Sequence, residues 1–448
     1  MTAALFDLGI RLRAADTGRI QPRLAQTPWF PAGDPIAVLV QGHRVTVHPA
    51  GGAPRHADGN DGIALLTEPY ERLVNSPADA PPRWPTLIVR SSTDLDALHR
   101  LARQVPFDHP ARPVGALVDW WSQRSEHPGS NAVVTAIEHC RTRWATGQPP
   151  EDENELSTWL RWLGIDAPGP TSALLAVADR LWDGERNPIL ERVAYPAPHA
   201  ERLLDEAQQA FTDALNTTPP VAPKELDRLQ KRIDKATERL TAARTRGSYD
   251  DEAAAELRDR HTDGIRWTTN DTPVTAAIGM ASREGAESGW ERCLMHDPIG
   301  HQRARYSGKV MHGTISTGFN DGVMSMTTTD NCRYRPGDTI ALTVTGLDGT
   351  AHTTNAEVMG LAVNRAGLTI HFRPTGRRKW HDDVAAGWPV VAEPGRSGIG
   401  SPDRDLIARN YNAAGWTVDP AADIPQVRRM DMTLIGLLTI ANPVGDPA

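Results

Sequence analysis

The sequence predicts a multi-domain α+β protein: a small N-terminal α/β unit, a helical middle with a short coiled-coil arm, and a C-terminal small antiparallel β barrel. Three observations carry that expectation. At 448 residues the chain exceeds what one hydrophobic core supports, so two to four domains are expected. Apolar residues recur at helical spacing through the middle of the chain, then alternate along β-branched runs after residue 305. Between them, Leu226, Leu229, Ile233, Ala236, Leu240 and Ala243 step by three and four, the spacing of a coiled-coil seam.

Residues 1–110 read as the α/β unit. Ile36–Val40 and Arg44–His48 make a hairpin with Gly42 in its turn. Ile63–Leu66 and Leu87–Arg90 are further strands, and the second leads into Ser92–Arg103, a helix with a polar start and leucines on one face. Pro49–Gly62 and Pro77–Pro85 read as loops.

Residues 114–220 read as a helical domain. Ala132, Val133, Ala136, Ile137, Cys140 and Trp144 line one face, and Leu156, Trp159, Leu160 and Leu163 a second. Two more faces start at Leu174 and Leu203, with proline- and glycine-rich breaks between the runs. Tryptophan at helical spacing is read here as core rather than as an aromatic binding platform.

Residues 223–263 hold the arm. Gly247–Asp251 interrupts its seam, and Ala254, Leu257 and His261 are expected to return antiparallel as the second helix of a hairpin. Leu226, Leu229, Ile233 and Leu240 are then the side chains offered to a protein partner; a plain amphipathic helix packed on the body is the alternative.

Residues 305–395 change character. Five alternating runs, Lys309–Thr317, Gly322–Thr329, Thr339–Thr345, Thr353–Val363 and Leu368–Phe372, are separated by Asn320-Asp-Gly322, Leu347-Asp-Gly349 and Asn364–Gly367 turns. Closure into a barrel is expected because it removes exposed strand edges. Residues 401–448 form a tail with a helix near Arg404–Ala413 and a last apolar segment.

Composition narrows the function classes. The chain is 39% hydrophobic and 23% charged, as a folded protein is, and its 37 Gly and 36 Pro fit many turns. Three distant cysteines, Cys140, Cys293 and Cys332, give no disulfide framework and point to a reducing, cytoplasmic setting. No signal-peptide pattern opens the sequence, and Leu434–Ala441 is less than half a membrane span, so no membrane association is expected. Lysine is confined to Lys224, Lys231, Lys235, Lys309 and Lys379 while arginine is abundant, a skew that codon usage explains.

The net charge of −8 argues against a protein coated for non-specific nucleic-acid binding. Yet between Gly300 and Trp380 eight Arg and two Lys stand against four Asp and one Glu. Within that stretch His371–His381 is basic and aromatic together. Arg373, Arg377, Arg378, Lys379 and Trp380, with Arg303, Arg305, Arg333 and Arg335, pair cations for phosphates with a flat ring for a base, as single-stranded nucleic acid asks. Asp382 and Asp383 follow directly and offset part of that charge.

Catalytic signatures are missing. Gly308-Lys-Val310 lacks the remainder of a phosphate loop, Gly395-Arg-Ser-Gly398 is one residue short of a nucleophile elbow, and no dinucleotide fingerprint or paired-histidine zinc helix occurs. No cofactor is expected. Cys293, His296 and His301, with Cys332 later, are ligand types that zinc takes, but no second cysteine pair supports them, and buried thiols with loop histidines are the simpler reading. The same cluster with Asp297 is the place for an enzyme of unrecognised type. The favoured expectation is a non-catalytic binding protein whose barrel contacts nucleic acid, single-stranded in preference, within a larger complex. A protein–protein scaffold using the arm is the alternative. A helical arm followed by a small barrel is similar to the accessory insertions of some nucleic-acid helicases, which implies at most an accessory role, since the motor motifs are absent.

Overall fold

A computed structural model of the chain describes residues 2–31, 33–218, 221–264, 283, 286–287, 289–347, 349–364, 367–375 and 384–395. The tail expected at 401–448, its helix and its apolar segment lie outside the described residues, as do Arg377, Arg378, Lys379 and Trp380. Met1–Trp267 and Ala286–Ile399 form one compact unit, to which all but one of the described residues belong.

Five strands make the sheet of the N-terminal body: β1 (Pro35–Gln41), β2 (Arg44–Pro49), β3 (Arg55–Asp58), β4 (Thr86–Val89) and β5 (Val133–Thr135). Their order is β3-β2-β1-β4-β5, with β1, β4 and β5 paired in parallel, β2 antiparallel to β1 and β3 antiparallel to β2. Because side chains alternate across a strand, β1 feeds two cores. Ile36, Val38 and Val40 face a cluster with Leu73, Leu98 and Trp121, while Ala37 faces another with Trp144, Trp159 and Leu174. Such two-sided burial explains why these strands are continuous apolar runs.

Helices α1 (Ala3–Thr17), α2 (Gly59–Ala64), α3 (Thr67–Val74), α4 (Ser92–Gln104) and α5 (Val114–Ser125) precede β5. The first core holds residues of α2 to α5, and the second is built with α6 (Ala136–Arg143), α7 (Leu156–Leu163) and α8 (Pro170–Trp182). The tryptophans of the predicted helical faces are therefore core.

Three expectations are corrected here. Ile63 and Ala64 close α2 and Leu66 precedes α3, so this segment is not a strand; the expected Pro49–Gly62 loop contains β3 and the start of α2. Val133-Val-Thr135 is a strand, because three β-branched residues complete the sheet before the helix begins. Val105, Val114 and Val133, from either side of residue 110, share one hydrophobic core.

The arm also pairs differently. After α9 (Pro188–Ala194), α10 (Pro196–Asn216) and α11 (Pro223–Arg246) pack along one another. Arg244 near the end of α11 meets Glu201 near the start of α10 at 2.6 Å, so the two run antiparallel. Ala236 and Leu240 are buried, and Leu226, Leu229 and Ile233 half-buried, on the seam. That seam packs along α10 of the same chain. The expected return helix, α12 (Tyr249–Thr262), packs instead on the body against α3 and α5. Its buried Asp250 accepts hydrogen bonds from Arg124 and Ser130 at 2.7 Å and from the Asn131 amide at 2.8 Å. A carboxylate so satisfied tolerates burial only in that place, and this commits α12 to the body.

After α13 (Pro298–Tyr306) come the barrel strands β6 (Met311–Asn320), β7 (Val323–Thr328), β8 (Thr339–Thr345), β9 (Ala351–Asn364), β10 (Gly367–Pro374) and β11 (Pro389–Pro394). They close in the order β8-β9-β10-β7-β6-β11, antiparallel throughout. Ile340, Leu342 and Val344 are buried in the barrel core with Met324, Met326 and Phe372, while Thr339, Thr343 and Thr345 of the same strand are more exposed. The turn after β6 uses Asp321 at φ 49° and Gly322 at φ 81°, the left-handed pair that a tight hairpin needs. The closing strand β11 was not among the five expected.

Candidate nucleic-acid interface

The residues singled out for nucleic acid are divided by the fold. Arg373 on β10 lies in register with Glu357 on β9, and Glu357 with Thr339 at the start of β8. Three neighbouring strands put the outer members about 10 Å apart. Directly before Thr339 the 331–338 segment is fastened at several points. Asn331 Nδ2 donates to the Tyr306 carbonyl at 2.9 Å, the Tyr334 hydroxyl to the Lys309 carbonyl, and the Gly337 amide to the Val358 carbonyl at 2.8 Å. Tyr334 is partly buried, which pushes its phenol pKa up, while Arg333 and Arg335 on either side of it are exposed. The alternation is simple: one inward ring anchors two outward guanidiniums.

β10 leaves this patch through Thr375, whose amide donates to the Asn355 carbonyl at 2.8 Å. The segment that follows carries Arg377, Arg378, Lys379 and Trp380, all outside the described residues. The described part of the patch is not strongly basic. Arg373 approaches Glu357 to 3.7 Å, and the Asp338 carboxylate accepts from the Arg335 amide at 2.7 Å.

Arg303 and Arg305 belong elsewhere. Both lie on α13, where Arg303 pairs with Asp7 of α1 and Arg305 reaches both oxygens of Asp330 at 2.9 and 3.0 Å. That pairing raises the Arg305 pKa, and with the His312 amide it holds the Asp330 carboxyl below its ordinary range despite partial burial. Phe6 and Tyr306 rings stand 5.2 Å apart at the same joint. These two arginines fasten α13 to α1 of the body and to the barrel.

The soft-ligand constellation is dispersed. Cys293 is fully buried beside Phe30 and Leu190, and burial pushes its thiol up to about 11. Cys332 packs against the barrel core, and His296 is exposed. Asp297 caps α13, accepting from the Ile299 and Gly300 amides at 3.0 and 2.9 Å and from Gln26 at 2.7 Å. His301 instead meets His312, a residue not singled out in the sequence, with their Nε2 atoms 2.6 Å apart; its Nδ1 lies 3.1 Å from the Met295 carbonyl. Among the described residues no three His, Cys, Asp or Glu side chains converge as a metal set.

Open parallel sheets commonly bind ligands at the carboxyl ends of their strands. Here Glu138 of α6 fills the start of α4, accepting from both the amide and the hydroxyl of Ser92 at 2.9 Å. An internal carboxylate takes the place an anionic ligand would use. Among the described residues no helix is long and apolar enough to cross a membrane. No protein-family model matches this sequence, and no curated protein is significantly similar to it.

Proposed function

We propose that the protein is a non-catalytic nucleic-acid-binding protein whose barrel contacts a single strand. The supporting observation is the shared patch. Arg333 and Arg335 project from a loop anchored by Tyr334, beside Arg373 and the strand exit that leads into Arg377, Arg378, Lys379 and Trp380. Small barrels present binding surfaces of this kind on strand faces and the loops that join them. In this reading the cations track phosphates and the indole stacks on a base.

The test is fluorescence anisotropy of a labelled single strand with the full chain across a salt series. Arg377→Ala/Arg378→Ala/Lys379→Ala should lower the salt slope by about 2, since each neutralised phosphate on a single strand contributes about 0.7. Trp380→Ala should weaken binding at every salt concentration and leave the slope unchanged. A wild-type protein that binds no single strand at low salt would sink the proposal.

A further inference from the structure

The strongest unassigned feature of the surface is a line of cations on the arm. Arg228, Arg232, Lys235 and Arg239 follow one another at steps of four, three and four along α11, all exposed. That spacing keeps them on one flank of the helix, beside the seam and not on it, over about 16 Å. The helix as a whole carries eight Lys or Arg against four Asp or Glu, including three of the five lysines in the chain.

Unlike Arg303, Arg305, Lys309 and Arg373 near the barrel, three of these four cations have no ion-pair partner among the described residues. Arg228 reaches Glu225 of its own helix at 3.4 Å in a highly exposed pair. For Arg232, Lys235 and Arg239, no carboxylate among the described residues comes within ion-pair distance. The acids Asp227 and Asp234 lie on another side, where they hold Lys231 at 2.9 Å and Gln230 at 3.0 Å. At the root of the arm the positive field continues. The His199 imidazole on α10 is pushed down in pKa by partial burial and by Arg192, Arg202 and Arg239, against the opposing pull of Glu206. Arg202 and Glu206 themselves stand 3.9 Å apart.

The chemistry of this flank selects among anionic partners. A protein interface is anchored by buried aromatic or large apolar side chains, and α11 has no aromatic residue and turns its apolar seam to α10. A single strand is held by stacking rings, and none is available on this helix. A duplex backbone needs neither, because regularly spaced cations meeting phosphates suffice. We infer that the α11 flank, through Arg232, Lys235 and Arg239, is a contact for the phosphate backbone of duplex nucleic acid. The contact is sequence-independent, and it goes beyond the barrel reading, from which it stands independently.

The test uses the full chain and a labelled duplex DNA of arbitrary sequence. Arg232→Ala/Lys235→Ala/Arg239→Ala keeps the helix, since alanine is the best helix former, and circular dichroism checks that the arm persists. The plot of log affinity against log salt should become shallower by about 2 to 3, at about 0.9 per lost phosphate contact. Asp227→Ala/Asp234→Ala should leave or raise the affinity. The barrel variant Arg377→Ala/Arg378→Ala/Lys379→Ala should leave the duplex slope intact, so failure at one site is told apart from failure at the other. An unchanged slope in the arm variant overturns the inference. So does absence of duplex binding by the wild type, or competition by poly-glutamate as strong as that by unlabelled duplex.

Discussion

The barrel and the arm are both basic when their residues are counted, and they differ in what became of the charge. Of the cations between Gly300 and Trp380, Arg303, Arg305, Lys309 and Arg373 each meet a carboxylate: Asp7, Asp330, Glu291 and Glu357. On α11, Arg232, Lys235 and Arg239 meet none among the described residues. The cause is topological. Asp7 and Glu291 reach these cations from outside the barrel, while Asp330 and Glu357 come from the barrel segment itself. α11 packs chiefly along α10. A segment's charge survives as surface potential only where little else folds against it.

The same contrast governs stability, and here the largest effect is expected. Phe372 is fully enclosed in the barrel, and Phe372→Ala should cost about 3–5 kcal/mol by leaving a cavity among well-packed neighbours. Ile233 is only half-buried between two helices, and Ile233→Ala should cost about 1 kcal/mol. Urea unfolding followed by circular dichroism reads both. Equal costs would mean that the arm is part of the cooperative core, and the distinction between the two regions would fall.

Acid should next separate the body from the arm. Burial pushes His127 and His139 down to about 4, with Arg124 adding to the effect on His127. A histidine lowered on folding binds its proton more readily when unfolded, so its contribution is complete above pH 6.5 and is lost as pH falls toward 4. At pH 5 each should remove about 1 to 2 kcal/mol, read as a lower urea midpoint than at pH 7. Because desolvation is the main cause, added salt should barely restore that loss. His199 at the arm root owes part of its depression to Arg192, Arg202 and Arg239, so its titration, followed by NMR, should move upward with salt. A His199 titration indifferent to salt would mean that the cations at the root exert little field.

How far the sequence reveals this molecule depends on how local the determining physics is. The barrel strands are visible because alternation and the Asn320-Asp-Gly322 turn are encoded within a few residues. β11 was hidden by its prolines at both ends, Pro389 and Pro394, and by its distance from the other runs. The seam of α11 shows in its spacing, yet its partner does not. The choice of α10 over α12 depends on Asp250 meeting Arg124, residues 126 positions apart. In the same way, Arg303 and Arg305 look like ligand-binding cations until Asp7 and Asp330 are placed beside them. Pairing across the chain is invisible to composition.

The smallest effect gives the sharpest test of that lesson. Arg373 and Glu357 are 53% and 38% exposed at 3.7 Å, an ion pair of the kind worth about 0–1 kcal/mol. Glu357→Gln keeps the shape of the side chain and its place in the β9 register, so stability should change by no more than about 0.5 kcal/mol. If pairing is what silences the barrel's cations, freeing Arg373 should raise single-strand affinity at low salt and steepen the salt slope by about 0.7, the share of one phosphate contact. The same substitution should leave duplex binding by the arm untouched. A single-strand slope that does not move would show that Arg373 is idle for a reason other than its partner. The difference between barrel and arm would then lie in where their cations point, not in what neutralises them.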